Sequence, residues 1–173
     1  MLHDKDQAAL GAAKRIKTDL ESTLLPPSEV APSSDQPVIL FALFNKCKRG
    51  YIQKVVHQVN RTYSNACYDA CSVMIRRLVE TLIIEAFEHL KIASKIQDTN
   101  NDFKPLRELI DIALAEPSWN LTRNAKSGLK NLKLIGDLSA HSRRYNAHRE
   151  DIDKAINDLR VVAQEFLTLA GMN

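Results

Sequence analysis

Glycine and proline are scarce in this chain, five and six among 173 residues. That scarcity excludes collagenous and low-complexity sequences and argues against a turn-rich all-β fold. The Asn-Gly and Asp-Gly pairs that close tight hairpins are absent as well. Three cysteines make no disulfide framework and suit a reducing compartment, so the expectation is a cytoplasmic protein. The longest purely apolar run, Val38 to Phe44, falls well short of the ~20 residues that span a bilayer. The opening Met-Leu-His-Asp-Lys-Asp lacks the basic and apolar pattern of a secretory signal, and no membrane contact is expected. No Walker loop, dinucleotide fingerprint, His-Glu-x-x-His or nucleophile elbow is present, and no cofactor or metal is expected.

What remains is a chain with 45% apolar and 26% charged residues, ordinary for one globular domain with a sizeable core. Prolines 26, 27, 32 and 37 mark a Pro/Ser-rich connector, which divides an N-terminal helix and linker (1–37) from a helical domain (38–173). A modest amphipathic helix is predicted over about 4–24. Ile52, Val55, Val56 and Val59 share one face of a helix over 51–63, and the stretch before it, 38–48, reads either as a buried helical turn or as an extended lead-in. Residues 65–94 carry apolar side chains around well over one face, as a central helix packed on two sides would. Asp102 is the expected N-cap of a helix that stops before Pro117, where Trp119 begins the next as a packing residue. That next helix covers about 120–140, and the last spans about 147–170, with acids at its start and Gly171 at its end. Short connections make neighbours antiparallel. The expected fold is therefore all-α, an antiparallel bundle of four or five main helices.

Charge is unevenly spread. Residues 38–66 carry Lys46, Lys48, Arg49, Lys54 and Arg61 and no acid, and residues 118–149 carry seven Lys/Arg against Asp137 alone. Side by side, the two stretches would make a phosphate-binding surface; otherwise Lys126, Lys130 and Lys133, at helical spacing, are simply a solvated face. The densest chemistry lies in Gly136-Asp137-Leu138-Ser139-Ala140-His141-Ser142-Arg143-Arg144-Tyr145-Asn146-Ala147-His148-Arg149. Histidine exchanges a proton near neutral pH and arginine holds phosphate bidentately, so His141, Arg143, Arg144 and His148 are the catalytic candidates for metal-free RNA cleavage. Arg123, Lys126, Lys130, Lys133 and Arg149 are the candidates for binding RNA or a nucleotide. The structural reading stands beside this: His141 as a helix C-cap, the arginines paired to neighbouring acids, and His148 at an exposed helix start. Arg76 and Glu80, four apart, can pair along the central helix as an internal or interface ion pair. Cys67 and Cys71 read as core cysteines; metal ligation with His57 lacks the four-ligand spacing of zinc sites.

Ala66-Cys67-Tyr68-Asp69-Ala70 leading into Met74-Ile75-Arg76-Arg77-Leu78-Val79-Glu80, followed later by Gly136-Asp137-Leu138-Ser139-Ala140-His141, resembles the HEPN superfamily of prokaryotic helical bundles. The likeness covers roughly residues 38–170. It points to the branch with an Arg-Arg-x-x-Glu helix and a Gly-[Asn/Asp]-x-x-Ala-His motif. The resemblance implies a homodimer with the polar motif at its two-fold interface, and in the ribonuclease members a metal-independent site built on Arg-x(4–6)-His from each protomer. This chain departs from that pattern. With His141 in register, the arginine positions hold Leu134, Ile135 and Gly136, and a literal Arg-x(4)-His, Arg143 to His148, occurs one element later. Two expectations follow. One is a non-catalytic, dimerising module that binds RNA, a nucleotide or a partner protein in defence or stress. The other is a metal-independent endoribonuclease, a toxin or defence effector held by an antitoxin.

Overall fold

The structure is a computed structural model that describes Lys14, residues 36–141 and residues 144–172, the side chains at 140 and 141 excepted. The chain divides into two units, Met1–Pro32 and Ser33–Asn173. In the first, Lys14 is helical; the rest of the expected helix over 4–24 and the connector up to residue 35 lie outside the described residues. The described part of the second unit holds five α-helices: α1 (Gly50–Ser64), α2 (Tyr68–His89), α3 (Leu106–Ala115), α4 (Arg123–His141) and α5 (Arg149–Leu169). Single 3₁₀ turns stand at Phe41–Phe44 and Ala93–Ile96, and the described residues contain no strand, only a lone bridge between Gln97 and Phe103. The all-α bundle expected from the sequence is observed. No helix of the described residues is long and apolar enough to cross a membrane.

The apolar excess of α2 makes it the hub. It packs against α1, α3, α4 and α5. Its Leu78, Leu82, Ile83 and Phe87 are fully buried, each contributing ~1.5–3 kcal/mol of transfer free energy. Contacts at the ends set the directions. Arg49, at the start of α1, reaches Glu85 near the end of α2 at 3.4 Å, so these two run antiparallel. Ala147, just before α5, donates its N–H to Asp69 at the start of α2 (2.9 Å), and Gly171, just after α5, lies against His89 at the end of α2, so those two run parallel. α4 is antiparallel to α5, with Asn131 donating to Asp158 at 2.8 Å and Thr122 N–H to Glu165 at 3.1 Å.

Several boundaries differ from expectation. The helix predicted to reach residue 94 ends at His89, because Lys91 takes φ +60° and Ile92 N–H bonds back to the Phe87 carbonyl at 2.9 Å. Asp102 does not cap α3. The Asp98 carboxylate accepts the N–H groups of Asn100 (2.8 Å) and Asp102 (3.0 Å), spending those residues on a turn, and Pro105 stands at the N-cap. Trp119 precedes α4 in the connecting turn; it packs edge-on against Phe87 and Phe166 and donates its indole N–H to Ala113 at 2.9 Å. Helix α4 starts after Thr122, whose hydroxyl accepts the Ala125 N–H at 3.2 Å. The lead-in is not helical before the 3₁₀ turn at Phe41: it bends at Val38 and Ile39, and Leu40 is extended. Asn60 brackets Ile39 with two bonds of 3.0 and 2.9 Å, and Arg160 donates to the carbonyls of Pro37 (2.8 Å) and Val38 (3.2 Å). Cys71 is buried as expected, its thiol pushed up to about 12 by burial, whereas Cys67 is exposed just ahead of α2.

Candidate nucleic-acid interface

The turn between α4 and α5 is held by two carboxylates from different elements. Asp69 in the first turn of α2 takes the Ala147 N–H at 2.9 Å. Asp151, in the first turn of α5, takes the His148 N–H at 3.0 Å and the Tyr145 hydroxyl at 2.9 Å. His148 is thus the N-cap residue of α5, exposed, at the dipole-positive end. The backbone bond from His148 and the Tyr145 hydroxyl bond hold Asp151 below the usual carboxylate range. Burial and then the neighbouring Asp151 and Asp69 charges push Tyr145 up to about 12.

Arg149 turns inward. Its guanidinium lies 5.7 Å from the centroid of the Tyr63 ring and 3.5 Å from Asp153, while the Tyr63 hydroxyl donates to the same Asp153. Tyr63 packs edge-on against Tyr68 at 5.9 Å. The Arg149 assigned to phosphate binding therefore belongs first to the seam that joins the end of α1 to the start of α5. Arg144 is exposed, and no described carboxylate pairs with it. The His141 side chain and Arg143 lie outside the described residues.

Arg76 does not pair with Glu80. Its partner is Asp137 of α4, which also holds Lys133 at 3.3 Å. The physical reason is the helix crossing. Gly136 has no side chain, so the Arg76 stem lies against α4, and a Cβ at position 136 would come within 2.9 Å of the Arg76 Cβ. From there the guanidinium meets Asp137, one helical turn before His141, instead of folding back along its own helix. A glycine in mid-helix is a sequence signal of such an approach; Asp69 and Tyr63, by contrast, had no local signal.

The remaining cations line one face of α4. Arg123, Lys126 and Lys130 are exposed with no described carboxylate beside them, and Lys133 is engaged by Asp137. The two basic stretches are not adjacent helices: α1 packs on α2, and α4 packs on α2 and α5. They approach at one end of the bundle, where Tyr63 at the end of α1 meets Arg149 and Asp153. Ser72 on α2 and Ser139 on α4 carry buried hydroxyls without a hydrogen-bond partner. No family model, curated protein or solved structure shows significant similarity to this chain.

Proposed function

We propose that this chain is a HEPN-like helical module that dimerises and binds single-stranded RNA without cutting it, through the turn between α4 and α5 and the cationic face of α4. The setting, a prokaryotic defence or stress system, follows from the resemblance alone. The observation that carries the reading is the division of labour among the charged groups. His148 and Arg149 hold the turn together, while Arg144, Arg123, Lys126 and Lys130 offer charge to solvent free of any described carboxylate. Such a face suits a polyanion held by its backbone. The motif arginine required for cleavage is replaced in register by Leu134, Ile135 and Gly136. Anisotropy of a labelled single-stranded oligoribonucleotide tests the reading: binding weakens steeply with salt, falls in a Lys126→Glu/Lys130→Glu variant, and leaves the RNA intact in EDTA. Absence of binding at low salt overturns it in favour of a protein partner.

The dimer finds support in Leu134 and Leu138, 60% and 37% exposed, which share a face of α4 with position 141 by helical register. Light scattering should report a dimer that a Leu134→Glu change splits; a monomeric parent protein ends that part of the proposal.

One observation favours endoribonuclease activity as a second reading. Arg76 arrives from α2 beside Gly136, the register position that lacks its own arginine. Cleavage of total RNA in EDTA, lost in His141→Ala and Arg143→Ala, would establish it.

A further inference from the structure

The lead-in and the outer face of α1 enclose an open cleft of about 340 Å³, within the ~300–1,000 Å³ of small-ligand sites. Its walls carry Phe41, His57, Arg61 and Tyr63, with Asn60 and Pro37 among the other residues that line it. The Phe41 ring is 39% exposed and sits 4.3 Å from the His57 ring, inclined by 44°. The two rings form a solvent-facing aromatic platform that the core does not use. The platform is fixed in place, because Asn60 bonds both backbone groups of Ile39, two residues before Phe41.

The electrostatics of the cleft point one way. Residues 38–66 contain no acid, and no described carboxylate pairs with Arg61. The acid behind the wall, Asp153, is already engaged by the Tyr63 hydroxyl and by Arg149. Tyr63 lines the cleft on one side and carries Arg149 over its ring. The cleft is therefore joined through one side chain to the turn between α4 and α5.

We propose that this cleft is a stacking subsite for a single unpaired base of a bound RNA strand, with the base against Phe41 and His57 and the adjoining phosphate on Arg61. The inference rests on the RNA-binding reading and gives it a location. An aromatic platform beside an unneutralised guanidinium matches the two faces of a nucleotide, its π surface and its charge. A base held in a duplex cannot reach the platform, so the subsite selects single strands. From the cleft the strand continues past Tyr63 toward the start of α5, where Arg149 lies over the ring.

The test compares a single-stranded oligoribonucleotide with its duplex form by fluorescence anisotropy on the full chain. Phe41→Ala weakens single-strand binding about tenfold, Phe41→Trp restores it, and duplex binding is unchanged in both. Arg61→Gln lowers the slope of log K against log salt by about 1. In the parent protein, adenosine monophosphate shifts the imidazole signals of His57 in the NMR spectrum. Phe41 is surface-exposed, and circular dichroism confirms that each variant is folded. If the parent binds RNA and Phe41→Ala binds it equally, the subsite is wrong while the RNA reading stands. A parent protein without RNA affinity overturns both.

Discussion

Gly136 shows how one missing side chain sets tertiary structure. In a solvent-facing helix a glycine costs ~1 kcal/mol relative to alanine, but here its bare Cα lets the Arg76 stem lie against α4 and meet Asp137. Gly136→Val should therefore destabilise by ~1–3 kcal/mol through overpacking, a loss of several degrees in Tm at ~2–4 °C per kcal/mol. An unchanged melting temperature by calorimetry would remove the close-approach argument. Two buried carboxylates make opposite statements about pH. Glu116 takes the Lys95 ammonium at 3.0 and 2.8 Å and the Ser118 hydroxyl at 2.6 Å, and these bonds lower it from 4.5 to about 2. Its stabilisation is complete above the unfolded value and disappears as pH falls through about 2, so a Glu116→Gln variant should lag the parent at pH 7 and converge with it in acid. Glu85 is raised by burial despite Arg49. Its ionised form is the penalised one, so Glu85→Gln should gain on the parent as pH rises through the carboxylate range. Denaturant melts of both variants across pH 2–8 check the two signs together; parallel curves would contradict both.

At the scale of elements, periodicity made the helices legible and tertiary contacts decided their ends. Of the stripe Ile152, Ile156, Leu159, Val162, Ala163, Phe166 and Leu167, whose spacing implies an inward face, all are buried except Ile156, which is half-buried against the core. The stop at Lys91 and the spending of Asp98 and Asp102 on a turn depend on backbone geometry that composition does not encode. The candidate site was legible as a basic turn but not as a braced one, because Asp69 lies 78 residues from its partner Ala147. The seating of Arg149 over Tyr63 was illegible for the same reason, since the ring stands on another helix. The brace is testable. Asp151→Asn removes a neighbouring charge, so the Tyr145 hydroxyl should titrate below its present value of about 12, toward the ordinary 10.0. Ultraviolet absorption of tyrosinate reports it, with Tyr145→Phe identifying the transition. If the highest tyrosine transition stays where it is in Asp151→Asn, the carboxylate is not holding the turn.

Within the second unit the described helices gather around α2, and unequal stability across them is a consequence. An amide exchanges by global unfolding only where no smaller opening frees it. The stretch Leu78–Phe87 of α2 is mostly buried and contains no exposed residue, whereas α3 is short and borders the exposed turn around Asn100. Amides of α2 should therefore exchange last and those of α3 well before them. The lead-in is a separate case: it is tied to the bundle by Asn60 and Arg160 through backbone carbonyls, so its protection depends on two side chains more than on burial of a helix face. Arg160→Ala should accelerate exchange over residues 38–44 without changing α2, because it removes two bonds of 2.8 and 3.2 Å that span 123 and 122 residues of chain. Hydrogen–deuterium exchange read by mass spectrometry separates these zones. Equal acceleration in α2 would mean that the lead-in is part of the same cooperative unit as the hub, and the platform at Phe41 could then not open or close without unfolding the bundle.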